Sequence, residues 1–580
     1  MQFLSGNEAI AQGAWEAGAS IGVAYPGTPS TETMQAFSEK EGVYAEWAPN
    51  EKVAVEVGVG ASAGGARVLC TMKHVGVNVA ADPLFTAAYT GVNGGLVVLA
   101  ADDPGMHSSQ NEQDSRFYAM AAHIPMLEPS DSAEALAFSK AAFELSERFD
   151  CPFFIRSTVR ISHAKAPVET GERQAYELKP YTKDPGKWVM MPANAKPRRR
   201  VLDQRMIDLR EWVESCEFNE ETLNSEEIGI ICTGAAYQYV IDAMPEASIL
   251  KLGVSWPVPQ NKICAFAEKV QRCYVVEEAS DYLSGQVKAC GVTLADFEKP
   301  LPIYGELSPR LIAEAFGKEL PACYPVQEDL PGRPPALCCG CPHRLVFMEL
   351  GKARCIITGD IGCYTLGALP PLKAMDTTVD MGASISMAHG FELAMAGTKH
   401  RPIVGVIGDS TFGHSGITSI LNTAYNRGVG TIVILDNRTT AMTGHQGNCF
   451  NGKTLQGRPA REMKPEVLCE AMGIEDVRVV NPNDMWATRS AIKNALANED
   501  DLSVIVFRSP CVLLRDSFKR QAPYQVDPDK CIGCGVCVSI GCPALSRDME
   551  TKKASIDTDQ CVGCGQCVQY CRYGAINQEA

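Results

Sequence analysis

The chain has 580 residues, a formal net charge of −16 and 46% apolar residues. That length gives three or four domains a core each, and the acidic balance argues against a nucleic-acid partner. The opening MQFLSGNEAIAQGAW lacks the basic start and apolar core of a signal peptide, and no apolar run is long enough to span a bilayer, so a cytoplasmic protein with no membrane contact is expected.

The first 165 residues read as an α/β domain. Helical spacing over 7–17 is followed by a strand at 20–25 and a turn, Pro26-Gly27-Thr28-Pro29-Ser30, into a helix from Thr31. Ser30 and Thr31 are expected to cap that helix. Thr28 stands one step earlier, where a strand-end hydroxyl can point at a ligand. Residues 50–63 (NEKVAVEVGVGASA) form a helix of small residues with Glu51 at its start. Glu51 either favours the helix dipole or has a chemical role, and Glu56 lies on another side of the helix. Strands at 68–71 and 95–101 end in Lys73-His74 and Asp102-Asp103, on the edge where α/β sheets bind ligands. The polar loop 108–116 (SSQNEQDSR) suits a substrate or lid role, with Arg116 either a carboxylate clamp or a solvated charge.

Residues 166–227 lose strand periodicity and read as a connecting arm with one amphipathic helix at 204–216 and a solvated run, Arg198-Arg199-Arg200. A second α/β stretch, 228–325, has strands at 228–233, 248–252 and 273–277, and Glu277 and Glu278 read as strand-end charges. Residues 320–336 are Pro-rich and are expected to form an interdomain linker. In the following Cys338-Cys339-Gly340-Cys341-Pro342-His343-Arg344, three residues (Cys338, Cys341 and His343) have the look of zinc ligands, but no second CxxC follows at finger spacing. Then come Gly359-Asp360-Ile361-Gly362-Cys363 and Asp380-Met381-Gly382-Ala383-Ser384, the latter leading into a helix whose free N–H groups could receive phosphate.

Residues 403–437 read as strand, turn, helix, strand, turn. This places Asp409, in Gly408-Asp409-Ser410, and Asn437 at the carboxyl ends of two parallel strands. A carboxylate and an amide oxygen converging there suit Mg²⁺, which takes oxygen ligands and bridges to phosphates. An ordinary crossover with a turn aspartate is the alternative. The spacing resembles the thiamin-diphosphate motif, a GDG followed about thirty residues later by NN. Here the ends read GDS and DN.

The cysteine count settles the tail. There are 24 cysteines and no secretory signal, which points to metal or redox use rather than disulfides. Cys531-x2-Cys534-x2-Cys537-x4-Cys542 is followed by Cys561-x2-Cys564-x2-Cys567-x3-Cys571. In two-cluster ferredoxins the fourth ligand comes from the other repeat. The expected [4Fe-4S] quartets are therefore Cys531, Cys534, Cys537 with Cys571, and Cys561, Cys564, Cys567 with Cys542. Two zinc sites are the alternative. Two features depart from the usual pattern: the x4 interval, which is expected to bulge, and Arg572 where Pro is usual, which would raise a cluster potential if it pointed inward.

Across nearly the whole chain these parts resemble the 2-oxoacid:ferredoxin oxidoreductases, most closely the large (alpha) subunits of the indolepyruvate:ferredoxin oxidoreductase family. The resemblance is carried by YPGTPSTE, NEKVAVEVGVGAS, MKHVGVN, SSQNEQDSR, LCCGCPHR, GDIGCYTLG, the GDS…DN unit with TGHQ, and the terminal ferredoxin repeats. It implies a multidomain α/β fold: a pyrimidine-binding-type thiamin-diphosphate domain (1–165), an arm (166–227), a transketolase C-terminal-like domain (228–325), a diphosphate- and Mg-binding thiamin-diphosphate domain (326–520) and a two-cluster ferredoxin domain (521–580). It implies oxidative decarboxylation of indolepyruvate or another arylpyruvate with coenzyme A, giving an aryl-acetyl-CoA and CO2, with electrons passing through the clusters to ferredoxin. A pyruvate or branched-chain 2-oxoacid oxidoreductase, or a non-oxidative decarboxylase, are the alternatives.

The resemblance assigns Glu51 to the cofactor's aminopyrimidine and Thr28 to the substrate carboxylate. It assigns Cys341, His343, Gly362, Cys363, Gly382, Gly408 and Ser410 to the diphosphate side of the cofactor. Asp409 and Asn437, with the Thr439 carbonyl, are assigned to Mg²⁺. Pyruvate-using relatives carry Asn where Met442 stands here, which leaves room for an apolar or aromatic substrate, and His445 is assigned to substrate or intermediate. A smaller beta subunit, in an α2β2 assembly working in an anaerobic cytoplasm, is also implied.

Overall fold

The computed structural model describes residues 1–319, 330, 332 and 334–578, so the stretch expected as a linker (320–336) lies largely outside the described residues. The chain divides into two compact units, Met1–Val326 and Gln327–Ala580.

The first unit contributes strands β1 (Gln2–Ser5), β2 (Ile21–Ala24), β3 (Tyr44–Trp47), β4 (Val68–Lys73), β5 (Leu96–Asp102), β6 (Met126–Leu127), β7 (Phe153–Thr158) and β8 (Lys165–Val168). It continues with β9 (Asn219–Thr222), β10 (Ile228–Cys232), β11 (Ser248–Leu252), β12 (Val254–Trp256) and β13 (Arg272–Val276). The larger sheet runs β12-β6-β7-β5-β4-β2-β3, parallel throughout except at β12. A second sheet runs β13-β10-β11-β9, with β9 antiparallel, and β1 pairs with β8. Strands β4 and β5 are buried along their whole length, as expected for near-continuous apolar runs covered on both faces. Their carboxyl ends carry Lys73 and Asp102.

Five expectations are corrected here. Arg116 is neither clamp nor solvated charge: it is fully buried, donates to Asp114 and to the Glu278 carbonyl (2.9 Å), and pairs with Glu277 at 3.2 Å. Glu277 and Glu278 are correspondingly buried, and their carboxylates accept backbone N–H groups of Leu283 and Leu307, both at 2.7 Å. Arg156 completes this buried network with Asp102 and Glu128. Charges this deep persist only because each meets an opposite charge or a backbone dipole. The arm's helix spans Pro192–Ser215, earlier than its apolar spacing indicates. Its arginine run is not wholly solvated, because Arg198 donates to the Tyr89 carbonyl (2.6 Å) and to Asp150 (3.1 Å). Ser30 does not cap the helix Thr31–Ser38 with its side chain; the Thr31 hydroxyl instead accepts the Gly27 N–H at 2.9 Å, which tightens the turn that carries Thr28.

The second unit is built on β14 (Ile356–Gly359), β15 (Thr377–Thr378), β16 (Ile403–Gly408), β17 (Gly430–Asp436), β18 (Asp476–Val480) and β19 (Leu502–Arg508). All are parallel, in the order β15-β14-β16-β17-β19-β18. One face packs on Phe347, Leu350 and Ile492, the other on Ile385, Phe412 and Phe450. The tail adds β20 (Tyr524–Val526), β21 (Leu545–Arg547), β22 (Ala554–Ile556) and β23 (Ile576–Gln578), paired β20 with β23 and β21 with β22. Among the described residues no helix is long and apolar enough to cross a membrane.

Candidate functional site

Glu51 and Asp409 belong to different units. In the first, Glu51 opens the helix Glu51–Ala63, whose start is capped by the Asn50 side chain accepting the Val53 N–H. Glu51 is 4% exposed, while Glu56 is exposed and paired with Lys52 at 2.5 Å, so only Glu51 faces inward. Its carboxylate lies against Gly76, where a Cβ would come within 2.7 Å of Oε1. Gly76 is therefore small because Glu51 is placed there. Thr28 is half-buried in the turn after β2.

In the second unit β16 delivers Asp409 into a short helical turn, Asp409–Thr411, that widens into a π-turn, Phe412–Gly416, before the helix Ile417–Tyr425. Asp409 is 2% exposed, and its Oδ1 accepts the Ser410 N–H at 2.7 Å. Its Oδ2 is buried with no hydrogen-bond partner. Burial, aggravated by Asp436, pushes the Asp409 carboxyl up to about 8. A carboxylate oxygen buried in this way calls for a cation. Asp436 also has a buried oxygen without a hydrogen bond, Oδ1, but its charge is already met by Arg508 on Oδ2 at 2.6 Å and by Arg438 3.5 Å from Oδ1.

Asn437 follows at the end of β17, and its Oδ1 accepts the Thr439 N–H at 3.2 Å. The loop from Asn437 closes on Gln446, whose carbonyl accepts from the Thr439 hydroxyl (3.0 Å) and the Thr440 N–H (2.9 Å). Ser410 bonds the Thr440 hydroxyl at 2.7 Å, which joins the two strand ends. Arg438 (φ 68°) and His445 (φ 67°) hold left-handed backbone at the two ends of this loop, a conformation that non-glycine residues adopt rarely. His445 is half-buried and Met442 is exposed.

The residues expected on the diphosphate side gather around one tyrosine. A Cβ on Gly362 would strike the Tyr364 ring, and one on Gly408 would come within 2.6 Å of it. These glycines make room for Tyr364, whose hydroxyl donates to Asp360. Asp360 Oδ2 also accepts the Gly382 N–H (3.0 Å) and the Ser384 hydroxyl (3.1 Å). The Gly382 N–H is therefore engaged by Asp360 rather than free for phosphate. Gly382 itself (φ 89°) has no room for a side chain, because a Cβ would meet the Ser415 hydroxyl. His343 starts the helix His343–Ala353; burial pulls its imidazole down to about 4, so the ring is neutral, edge-on to Tyr364 at 6.4 Å.

Four thiols stand beside this group. Burial pushes Cys341 up to about 12 and Cys363 to about 11, with Cys338 adding to both and Cys511 to Cys363. Burial also raises Cys511, which feels Cys338 and Asp409, and its N–H donates to the Asn437 carbonyl at 3.0 Å. Cys338 thus lies near Cys341, Cys363 and Cys511 at the Asp409 end of the sheet, without three of them closing on one point. Cys511 was not singled out by spacing; its one signal is a lone cysteine just after a buried strand.

The tail cysteines ring two small hollows of equal size. Cys542, Cys561, Cys564 and Cys567 line the first, with Cys339 beside them; Cys531, Cys534, Cys537 and Cys571 line the second. Each set takes three cysteines from one repeat and one from the other. Backbone N–H groups of Ala554, Tyr524 and Ala575 point at the sulfurs of Cys531, Cys561 and Cys571 at 3.3–3.5 Å. Among the described residues no three His, Cys, Asp or Glu side chains close on a single metal ion. The tail thiols surround hollows instead. The extra residue of the first repeat is absorbed at Gly541, in left-handed backbone (φ 74°). Arg572 is exposed, so the inward orientation considered from sequence is not adopted.

The first hollow is tied to the Cys338–Cys341 turn. Gln566 Nε2 donates to the Cys341 carbonyl at 3.1 Å, and the buried Arg344 donates to the Cys338 carbonyl at 2.9 Å and to the Gly541 carbonyl. Gly340 is required where the two meet, since a Cβ would strike Val562.

Three family models match the chain: "Pyruvate flavodoxin/ferredoxin oxidoreductase, thiamine diP-bdg" over residues 12–221, "Thiamine pyrophosphate enzyme, C-terminal TPP binding domain" over 360–507, and "4Fe-4S dicluster domain" over 523–572. Indolepyruvate oxidoreductase subunit IorA of Thermococcus kodakarensis is 42% identical, over 99% of this chain and 96% of that one. The subunit of that name from Methanothermobacter thermautotrophicus is 40% identical, over 100% and 97%. The 2-oxoglutarate synthase subunit KorA of the latter organism is 23% identical over 53% of this chain and 95% of its own. The fold is thus the multidomain α/β arrangement of thiamin-diphosphate domains with a dicluster ferredoxin tail. The activity is thiamin-diphosphate-dependent 2-oxoacid:ferredoxin oxidoreduction, and the chain belongs to the IorA subunit family of the indolepyruvate oxidoreductases.

Proposed function

We propose that the chain, with a smaller partner subunit in an α2β2 assembly, converts an arylpyruvate such as indolepyruvate and coenzyme A into an aryl-acetyl-CoA and CO2, and delivers the electrons to ferredoxin. One juxtaposition within the second unit carries this reading: Asp409, with a buried and unpartnered carboxylate oxygen, on the same unit as two hollows each ringed by four cysteines. A decarboxylating site and an electron exit on one body define an oxidative reaction. The aryl preference is supported by the printed name of the relatives and by Met442 in the loop after Asn437.

Thiamin diphosphate and the clusters, when bound, supply decarboxylation of the 2-oxoacid and one-electron transfer. Asp409 Oδ2, the Asn437 side chain and the Thr439 carbonyl would hold Mg²⁺. Ser410, Cys341, His343, Gly362, Cys363, Gly382 and Gly408 border the same place. His343, kept neutral by burial, adds no charge there. Glu51 would hold the proton exchanged with the pyrimidine ring nitrogen. Thr28 and His445 would face the substrate. The two cysteine quartets would hold the [4Fe-4S] clusters, and the Arg344 and Gln566 bonds keep the first of them against the Cys338–Cys341 turn.

The test is an anaerobic assay of the chain with its partner subunit against a panel of 2-oxoacids, with coenzyme A and ferredoxin or a dye. Highest kcat/KM with indolepyruvate or phenylpyruvate, and an aryl-acetyl-CoA product, are expected. Faster turnover of pyruvate or 2-oxoisovalerate overturns the aryl assignment. Aldehyde as the sole product, with no acceptor reduced, overturns the oxidative one.

A further inference from the structure

Lys73 closes β4 at the strand-end edge shared with Thr28 and faced by Glu51, and the reading above leaves it without a role. Its side chain is 8% exposed. The stem lies across the turn before Thr28: a Cβ on Gly27 would come within 3.2–3.5 Å of Lys73 Cβ, Cγ and Cδ. The ammonium donates to the Ser108 carbonyl at 2.9 Å and to the Ser109 hydroxyl at 2.8 Å. Both acceptors are neutral. Asp103, behind them, takes its own bonds from the loop: His107 N–H at 3.2 Å, Ser108 N–H at 2.8 Å and the Ser109 hydroxyl at 2.6 Å. A cation is thus buried at the active-site edge and held by dipoles. Burial pulls the ammonium down to about 8 against the opposing pull of Asp103 and Glu51.

The other cation near this loop is unsuited to an incoming anion. Arg116 is spent on Asp114 and Glu277. A 2-oxoacid brings a carboxylate that needs a charged donor once it leaves water. We infer that Lys73 receives the carboxylate of the 2-oxoacid substrate, with Ser108 and Ser109 setting the ammonium's direction. The inference rests on the proposed placement of Glu51 and Thr28 in the active site. It makes the loop containing Ser108 and Ser109 part of the substrate site through Lys73 rather than through Arg116.

The experiment uses the assembled holoenzyme, assayed anaerobically with the best 2-oxoacid of the panel. Lys73→Ala is expected to raise KM on the order of 10- to 100-fold, with a smaller change in kcat and with thiamin-diphosphate content and cluster absorbance unchanged. Lys73→Arg restores most of the loss. Inhibition by phenylacetate weakens in parallel with KM, while inhibition by the neutral phenylacetamide does not. Ser109→Ala, which removes an acceptor but no charge, raises KM by less than Lys73→Ala does. An unchanged KM in Lys73→Ala overturns the inference, as does an equal loss in Ser109→Ala, which would make Lys73 only a pin for the loop. Should Lys73→Ala fail to fold, Lys73→Met keeps the buried stem and is judged by the same KM and inhibitor criteria. A parent protein that binds no thiamin diphosphate overturns the active-site reading itself, which is a different failure.

Discussion

Asp360 and Asp409 follow neighbouring parallel strands, β14 and β16, in similar local sequence, Gly-Asp-Ile and Gly-Asp-Ser. Both are buried, and burial raises both carboxyls. Their hydrogen bonding differs completely. Asp360 has donors on both oxygens: the Tyr364 hydroxyl on Oδ1, and the Gly382 N–H and Ser384 hydroxyl on Oδ2. Asp409 has one oxygen satisfied by Ser410 and one that makes no hydrogen bond, with only the Asn448 amide and the Arg438 N–H near enough to ease its charge. A satisfied buried carboxylate is a structural clamp, whereas an orphaned one is a group whose partner comes from outside the chain. Accounting for donors thus separates the two roles where burial and sequence context do not.

The sharpest way to break this comparison is to remove each carboxylate and read activity. Asp409→Ala is expected to lower turnover by about 10³-fold or more, since the charge on the cation site is gone. The visible and paramagnetic signals of both clusters should remain, because the cysteine hollows do not use Asp409. Anaerobic steady-state kinetics and iron analysis check this. Full activity in Asp409→Ala would remove the centre of the functional reading. Asp360→Ala should lose activity only in proportion to the folded fraction.

The next effect is a difference of sign in stability. In cofactor-free protein, Asp409→Asn removes a carboxyl that cannot ionise without cost, and should stabilise by about 1 kcal/mol. Asp360→Ala leaves the Tyr364 hydroxyl, the Gly382 N–H and the Ser384 hydroxyl short of an acceptor, and should destabilise by about 1–3 kcal/mol. Urea unfolding of the two variants beside the parent protein measures both. Shifts of the same sign would mean that the unpartnered oxygen does not distinguish the residues.

The frame of the site was legible in sequence because strand ends announce themselves. Apolar runs ending in polar punctuation located β4, β5, β16 and β17 and the residues at their tips, and tight cysteine spacing located the hollows. What stayed hidden depended on direction. Arg116 and Glu277 are distant in sequence, and no local pattern says that they neutralise each other. Lys73 appeared only as punctuation, because burial of a lysine is decided by the loop that folds over it. Gly362 and Gly408 were read as close approaches to a cofactor, yet the space they leave is occupied by Tyr364. A glycine records that something is near without recording what. Cys511 follows β19 alone, and only the parallel order of the sheet brings it beside Cys363.

The smallest effect is expected at Tyr364, the hinge of the comparison. Tyr364→Phe keeps the ring against Gly362 and Gly408 and deletes the hydroxyl that donates to Asp360. Asp360 keeps the Gly382 and Ser384 donors on Oδ2, so only one of its oxygens is affected. The expected cost is about 1 kcal/mol, the bond to Asp360 going together with a longer contact to the Thr411 hydroxyl at 3.2 Å, seen as a lower unfolding midpoint. KM and kcat for the 2-oxoacid should stay within about 2-fold of the parent, since neither Asp409 nor the loop from Asn437 loses a partner. A large fall in kcat with unchanged stability would show that the Tyr364–Asp360 pair takes part in the reaction, and would move Asp360 from clamp to active-site group.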